Sequence, residues 1–190
     1  MSEIAPTRSA CLVAAFAGLI APAAATPVRW RIDPARTEIA FSIDAVGFPR
    51  TEGRFRRFDG KIAVDFDDPA KSSVAFHVLT ASVDVGSASF SDYVRSPAFL
   101  DAERRPSIDF VSTSVTRTSA STVRVAGDLT LHGVTKPLTV DVAVAPADGG
   151  RRLDFHAETR IDRLAFGMNS GFPLVARDVD LVISSEAAAP

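Results

Sequence analysis

The residues that could do chemistry in this chain are few and scattered. His77, His132 and His156 are the three histidines, and Cys11 is the single cysteine. No histidine is spaced with a second histidine or cysteine as a metal site requires, so metal ligation is not expected. Thr130 and Thr135 flank His132-Gly133, a composition that hairpin turns carry for local hydrogen bonds. Asp65, Asp67, Asp68, Asp101 and Glu103 could in principle supply a glycosidase pair, but their places beside turns and on polar strand faces favour solvation. Tyr93, the sole tyrosine, has the chemistry either to donate a hydrogen bond to a ligand head or to pack with its hydroxyl in water. Arg163 reads as a strand-end cation that pairs with a nearby acid or neutralises a ligand group. Nucleophile-elbow, P-loop and dinucleotide-binding glycine patterns are all missing from the sequence.

The segments that must position these residues are strands. Val123, Val125, Gly127, Leu129 and Leu131 occupy every second position, and Leu138, Val140, Val142 and Val144 resume the alternation after a Gly-bearing turn at Gly133. A period of two on both sides of a turn predicts a hairpin with one apolar face. Pro137 is expected at the start of the second strand, where its missing N–H costs least. Similar alternation runs through Val28–Ile32, Ile39–Ile43, Arg50–Arg57, Gly60–Asp67, Val74–Val78, Ile108–Phe110, Leu153–Ala157 and Val179–Ile183. From Ala81 to Pro106 it weakens. There Ser89 and Asp92 have capping-box spacing, and Phe90, Tyr93 and Val94 share a helical face, with Phe99 and Leu100 just after. This aromatic, non-strand segment is the natural lid over one end. Roughly eight or more short strands at about 10-residue spacing, with no long helix, indicate an all-β antiparallel sandwich or barrel.

Residues 1–25 read as a cleaved signal peptide. Arg8 supplies a positive start, Ala10–Ile20 a short apolar run, and Ala23-Ala24-Ala25 a small-residue cleavage pattern. That run is too short for a stable membrane span, and Arg8 at minus three from Cys11 argues against a lipoprotein signal. The expected product is an exported, periplasmic or secreted chain of about 165 residues from position 26 to 190, one domain in size. It would hold no thiol, so no disulfide framework supports the fold. A formal net charge of −2 gives no case for nucleic-acid binding.

At the hairpin a resemblance becomes specific. Leu129-Thr130-Leu131-His132-Gly133-Val134-Thr135-Lys136-Pro137-Leu138 closely resembles the signature hairpin of the YceI-like family of exported bacterial proteins. Trp30-x-Ile32-Asp33-Pro34, Gly53-Arg54-Phe55 with Phe58-Asp59-Gly60, Ser96-Pro97-Ala98-Phe99-Leu100-Asp101, Pro106-x-Ile108-x-Phe110 and Arg163-Leu164-Ala165-Phe166-Gly167 follow in the family's order. The resemblance implies an antiparallel lipocalin-like β-barrel of about eight strands with a short helical lid segment, enclosing a tunnel for an isoprenoid or isoprenoid-quinone-type lipid. The chain departs from the family pattern at Thr37-Glu38 and Ala45, where relatives often carry His-Ser and His. It departs again at Phe90-Ser91-x-Tyr93, where they carry polar or basic groups. A different head group, or a wholly apolar ligand, is implied.

An eight-stranded barrel can be filled by its own side chains or hold one small ligand, so the apolar inner face leaves both readings open. Phe41, Phe55, Phe66, Phe76, Phe110 and Phe155 fall on inward-reading positions. The candidate ligand contacts are Phe41, Ile43, Phe55, Phe76, Phe110 and Phe155 on the walls, Phe90, Tyr93, Val94, Phe99 and Leu100 on the lid, and Phe166. The expected function is non-catalytic binding or transport of an apolar lipid, with no cofactor beyond that ligand. An enzyme acting on a hydrophobic substrate in the same cavity and a solid-core interaction module are the alternatives, and a homodimer is compatible with either.

Overall fold

A computed structural model describes residues 26–189; the proposed signal peptide lies outside the described residues. Eleven strands form one antiparallel sheet: β1 (Val28–Ile32), β2 (Glu38–Ile43), β3 (Thr51–Phe55), β4 (Phe58–Val64), β5 (Ser73–Leu79), β6 (Val83–Asp84), β7 (Ser107–Arg117), β8 (Thr122–Leu131), β9 (Val134–Ala147), β10 (Arg152–Asp162) and β11 (Asp178–Ala188). One α-helix, α1 (Ala88–Arg95), interrupts the run between β6 and β7. The expected all-β barrel is present, closed by eight staves.

Eleven segments make eight staves because the first three staves are each broken once. β1 and β2 run in the same direction along β11, which pairs Ile32 with Ala187 and then Glu38 with Ser184. The break is a 3-10 turn at Pro34–Arg36, where the Asp33 carboxylate accepts the Ala35 amide at 2.9 Å. β4 lies along β1 while β3 lies along β2, and β5 and β6 repeat the pattern against β4 and β3. Such breaks bend a strand without removing it from the wall, as bulges do.

The β8–β9 hairpin behaves as its alternation predicts. His132 and Gly133 have φ of +51° and +74°, the pair of left-handed residues that a two-residue turn matching the sheet twist requires. The Arg105 guanidinium packs where a Cβ on Gly133 would sit, so that position needs glycine twice over. Pro137 is the fourth residue of β9, opposite Asp128, and not at the strand start as expected. It is tolerated because β9 pairs with β10 only from Val142 onward, which leaves the Pro137 side of the ladder without a strand partner.

At about 3.3 Å per residue, the 11-residue strands β7, β10 and β11 are roughly 36 Å long. A tilt of about 40° makes the wall roughly 28 Å high. One rim, the terminal end, carries both ends of the described segment, residues 26 and 189, and the turns at 65–72, 118–121 and 148–151. The other, the helix end, carries residues 44–50, the α1 segment, the His132-Gly133 turn and residues 163–177.

Candidate ligand cavity

The barrel is not packed solid. A cavity of about 1160 Å³ runs through it, touched at the terminal end by Asp65, Phe66 and Arg117 and at the helix end by Phe48, Phe90 and Val175. That volume lies above the usual range for drug-sized pockets, about 300–1,000 Å³. Its middle is lined by apolar side chains from all eight staves, among them Val78, Val125, Val140 and Leu181.

Three strand glycines keep this space open. Gly53 is the cross-strand partner of Phe41, and Gly60 of Phe76. A Cβ at Gly53 would strike the Phe41 ring, and one at Gly60 would strike the end of the Ile32 side chain and lie a tight 3.1 Å from the Phe76 ring. At Gly127 a Cβ would lie 2.6 Å from Cζ of Phe110 and 2.5 Å from the Val111 carbonyl oxygen. Each missing side chain lets a phenyl ring lie along the wall where it would otherwise stand in the lumen.

The structure brings nearly all of the candidate contacts to this cavity. Phe41, Ile43, Phe55, Phe76, Phe110 and Phe155 line it from the walls, and Phe90, Tyr93, Val94, Phe99 and Leu100 line it from the lid. Phe166 does not. It is buried with Met168, Leu129 and Leu131, and its carbonyl accepts a hydrogen bond from His132 Nδ1 at 3.0 Å, so it anchors the β10–β11 connection to the hairpin turn. Phe66 was expected inside a strand, but β4 stops at Val64. The Phe66 ring is half exposed and meets Trp30 edge-to-face at 6.4 Å, closing the wall at the terminal end.

The lid differs from its expected detail. α1 begins at Ala88 with Ser87 as its N-cap residue, without a side-chain cap bond. Asp92 pairs with Arg95 at 2.6 Å and Ser89 Oγ lies 3.2 Å from Ser87 Oγ, so the Ser89-Asp92 spacing makes no capping box. Phe90 and Tyr93 stack at 6.3 Å, and Tyr93 meets Phe99 edge-to-face at 5.2 Å. These rings, with Ala45, occupy the cavity's helix end.

Arg163 follows neither role expected of it. It is 2% exposed and gives its N–H groups to the backbone carbonyls of Met168, Ser170, Val175 and Ala176. Burial pulls its pKa below the ordinary arginine value, opposed by the nearby Asp162 carboxylate. Asp162 pairs instead with Arg177, at 3.5 Å. A planar fork of five donors suits this work, gathering a loop by its carbonyls.

The three histidines lie apart from one another, on β5, in the β8–β9 turn and on β10. His77 and His156 lie on the outer wall, bonded to Asp109 at 2.6 Å and to Ser184 at 3.1 Å. The Asp109 hydrogen bond raises the His77 pKa above its ordinary value. Asp65 accepts the amides of Asp67 and Asp68 in the terminal-end turn, whereas Asp101 is buried beside Arg105 after the helix. The carboxylates considered as a pair thus divide between the two rims. Among the described residues, no group of three metal-ligating side chains comes together.

Sequence reasoning did not assign to the cavity Phe48, Val175 and Met168, which line it from the two helix-end loops. No periodicity marks them, since loop residues reach a site through the path of the chain and not through alternation.

Comparison with known proteins agrees with this architecture. A family model described as the YceI-like domain matches residues 30–187. A protein of Serratia proteamaculans (strain 568), "UPF0312 protein", is 36% identical over 152 residues, covering 78% of this chain and 79% of its own. The crystal structure of Burkholderia cenocepacia BcnA superposes with a TM-score of 0.77 at 27% identity, covering 83% of this chain and 99% of that one. A domain from Saccharophagus degradans, whose structure is described as a polyisoprenoid binding domain implicated in plant cell wall breakdown, superposes at 0.69 with 12% identity, covering 87% and 100%, a likeness of fold. The matched span takes in the whole closed barrel from Trp30 to Ala187, and on that ground the chain belongs to the YceI-like family.

Proposed function

We propose that this protein binds one long apolar lipid, of isoprenoid type, lengthwise in the barrel and carries it through the periplasm without a catalytic step. The observation that supports this reading is the continuous apolar cavity of about 1160 Å³ reaching from rim to rim. Its charged neighbours sit near the ends, where Arg50 and Glu52 lie at the helix end and Asp65 and Arg117 at the terminal end. An unbranched or isoprenoid chain suits a long, narrow, uncharged middle. At about 0.8 kcal/mol per buried CH₂, one five-carbon unit supplies roughly 3 to 4 kcal/mol gross, so a few units offset the cost of association without any hydrogen bond.

Apolar residues at Ala45, Phe90 and Tyr93 favour a neutral head over a phosphorylated one, because a buried charge without a partner is costly. The polyisoprenoid-binding description of the Saccharophagus degradans domain points to the same ligand class. Residues 1–25, read as a cleaved signal, support export. An open lumen weighs against the solid-core module, and the place of His77 and His156 on the outer wall, away from the cavity lining, weighs against acid–base chemistry inside it.

The test is gentle purification, extraction and mass spectrometry, followed by titration with long-chain isoprenoid alcohols and quinones. A co-purified isoprenoid and saturable one-to-one binding are expected. Neither a lipid in the extract nor saturable binding of any chain would end this reading.

A further inference from the structure

The helix end is not only the place where the cavity opens. Val46 and Phe48 stand 70% and 75% exposed on the β2–β3 loop, Phe172 and Leu174 54% and 63% on the β10–β11 loop, and Tyr93 52% on α1. The two loops are joined at their tips, where the Val46 amide donates to the Leu174 carbonyl at 2.8 Å. Residues 45–49 and 164–176 contain no Asp, Glu, Lys or Arg. At the base of the patch Arg50 is paired with Asp44 and Asp180 and Arg177 with Asp162, on α1 Arg95 is paired with Asp92, and Glu52 lines the mouth beneath the loop tips.

From these observations we infer that the helix end is a membrane-docking face, on which the two uncharged loop tips and Tyr93 insert shallowly into a phospholipid bilayer while the cavity mouth meets the acyl layer. The inference rests on the lipid-carrier reading above. Three features favour a bilayer over a protein as the occupant. First, the patch is continuous with the lumen, since Phe48, Tyr93 and Val175 line the cavity while Phe48 and Tyr93 also face solvent. The loop tips themselves are uncharged, and the charges that the cavity mouth does present, Arg50 and Glu52, lie at the base of the β2–β3 loop. Second, at roughly 150 to 200 Å² for a large apolar side chain, these exposures amount to roughly 600 Å². That is the upper end of what a monomer leaves open, but short of the roughly 800 Å² per partner that a stable protein interface buries. Third, the tips are electrically neutral and carry aromatic groups, which suits the headgroup region of a zwitterionic membrane and offers a charged protein partner nothing to pair with.

The experiment uses the protein as its cell delivers it, with the N-terminus established by mass spectrometry so that residues 1–25 do not themselves supply the lipid contact. Co-flotation with phosphatidylcholine vesicles is compared for the natural protein and the double variant Val46→Glu with Leu174→Glu, neither of which lines the cavity. Isoprenoid alcohol binding is measured in parallel without vesicles. The natural protein is expected to float, and the variant to lose at least tenfold in vesicle binding while its isoprenoid affinity stays within twofold. Natural protein that binds isoprenoid but ignores vesicles, or a variant that floats equally well, overturns the docking face and leaves the carrier reading standing. Vesicle binding without isoprenoid binding overturns the carrier reading instead. A natural protein that sediments as a dimer, and a variant that sediments as a monomer, would assign the patch to a second copy and overturn the inference.

Discussion

At the terminal end the turns draw largely on their own residues: Asp65 accepts the amides two and three residues ahead, and Thr118 donates both its amide and its hydroxyl to the Thr122 carbonyl at the far side of its turn. At the helix end the β10–β11 connection, residues 163–177, is gathered by the buried guanidinium of its own first residue, Arg163, and is tied back to a hairpin turn 34 residues away in sequence through His132 and Phe166. The first rim rests mostly on bonds within its turns, with Arg117 reaching across to the Phe66 carbonyl. The second is held by non-local contacts and keeps large apolar side chains in solvent. On the carrier reading proposed above, the second rim is the one through which a ligand would pass.

Breaking it should be most costly at Arg163. Arg163→Met removes the donors of four backbone carbonyls inside a buried loop. A loss of about 3 kcal/mol or more is expected from urea unfolding. A loss below about 1 kcal/mol would mean that the loop holds itself. Next in size is the lumen shared by both ends. Gly127→Ala drives a methyl against the Phe110 ring and the Val111 carbonyl, and is expected to cost about 1 to 3 kcal/mol. It should also weaken isoprenoid binding as the ring is lifted into the lumen, and unchanged affinity would remove the glycines from the account of the cavity.

At the terminal end, Asp65→Ala should cost about 1 to 2 kcal/mol, because Asp65 is buried but the two amides it accepts belong to a short turn with no other element gathered on it. A cost equal to that of Arg163→Met would erase the contrast between the rims. Smallest is the outer wall. The Asp109 hydrogen bond raises the His77 pKa, so its contribution is full below the unfolded value near 6.5 and is lost as pH rises through the higher folded value. His77 is substantially exposed, which limits the effect to about 0.5 kcal/mol or less. The stability gap between the natural protein and His77→Gln should therefore close as the pH is raised from about 6 to about 8.

What could be read from the sequence follows the same division. The β8–β9 hairpin was legible because alternation, a two-residue turn and a glycine all point the same way, and the wall phenylalanines followed from it. The eight-stave count was legible only as a spacing, since the breaks at Asp33–Thr37 and at Arg56-Arg57 look like turns between separate strands until their shared neighbours are known. Arg163 was misread because its partners are backbone carbonyls, which leave no mark in the residue types. Phe166 lies off the cavity for a related reason: its motif fixed its burial but not that Met168, Leu129 and Leu131 pack around it. Phe48 and Val175 reach the cavity from loops whose path depends on that buried arginine.

The central claim, one lumen filled lengthwise by an apolar chain, is tested most directly by titrating the protein with isoprenoid alcohols of increasing length. The account predicts that affinity climbs with each added isoprene unit until the cavity of about 1160 Å³ is full, and then levels off, at one ligand per barrel. Affinity that does not depend on chain length, or that rises without a plateau, would contradict it.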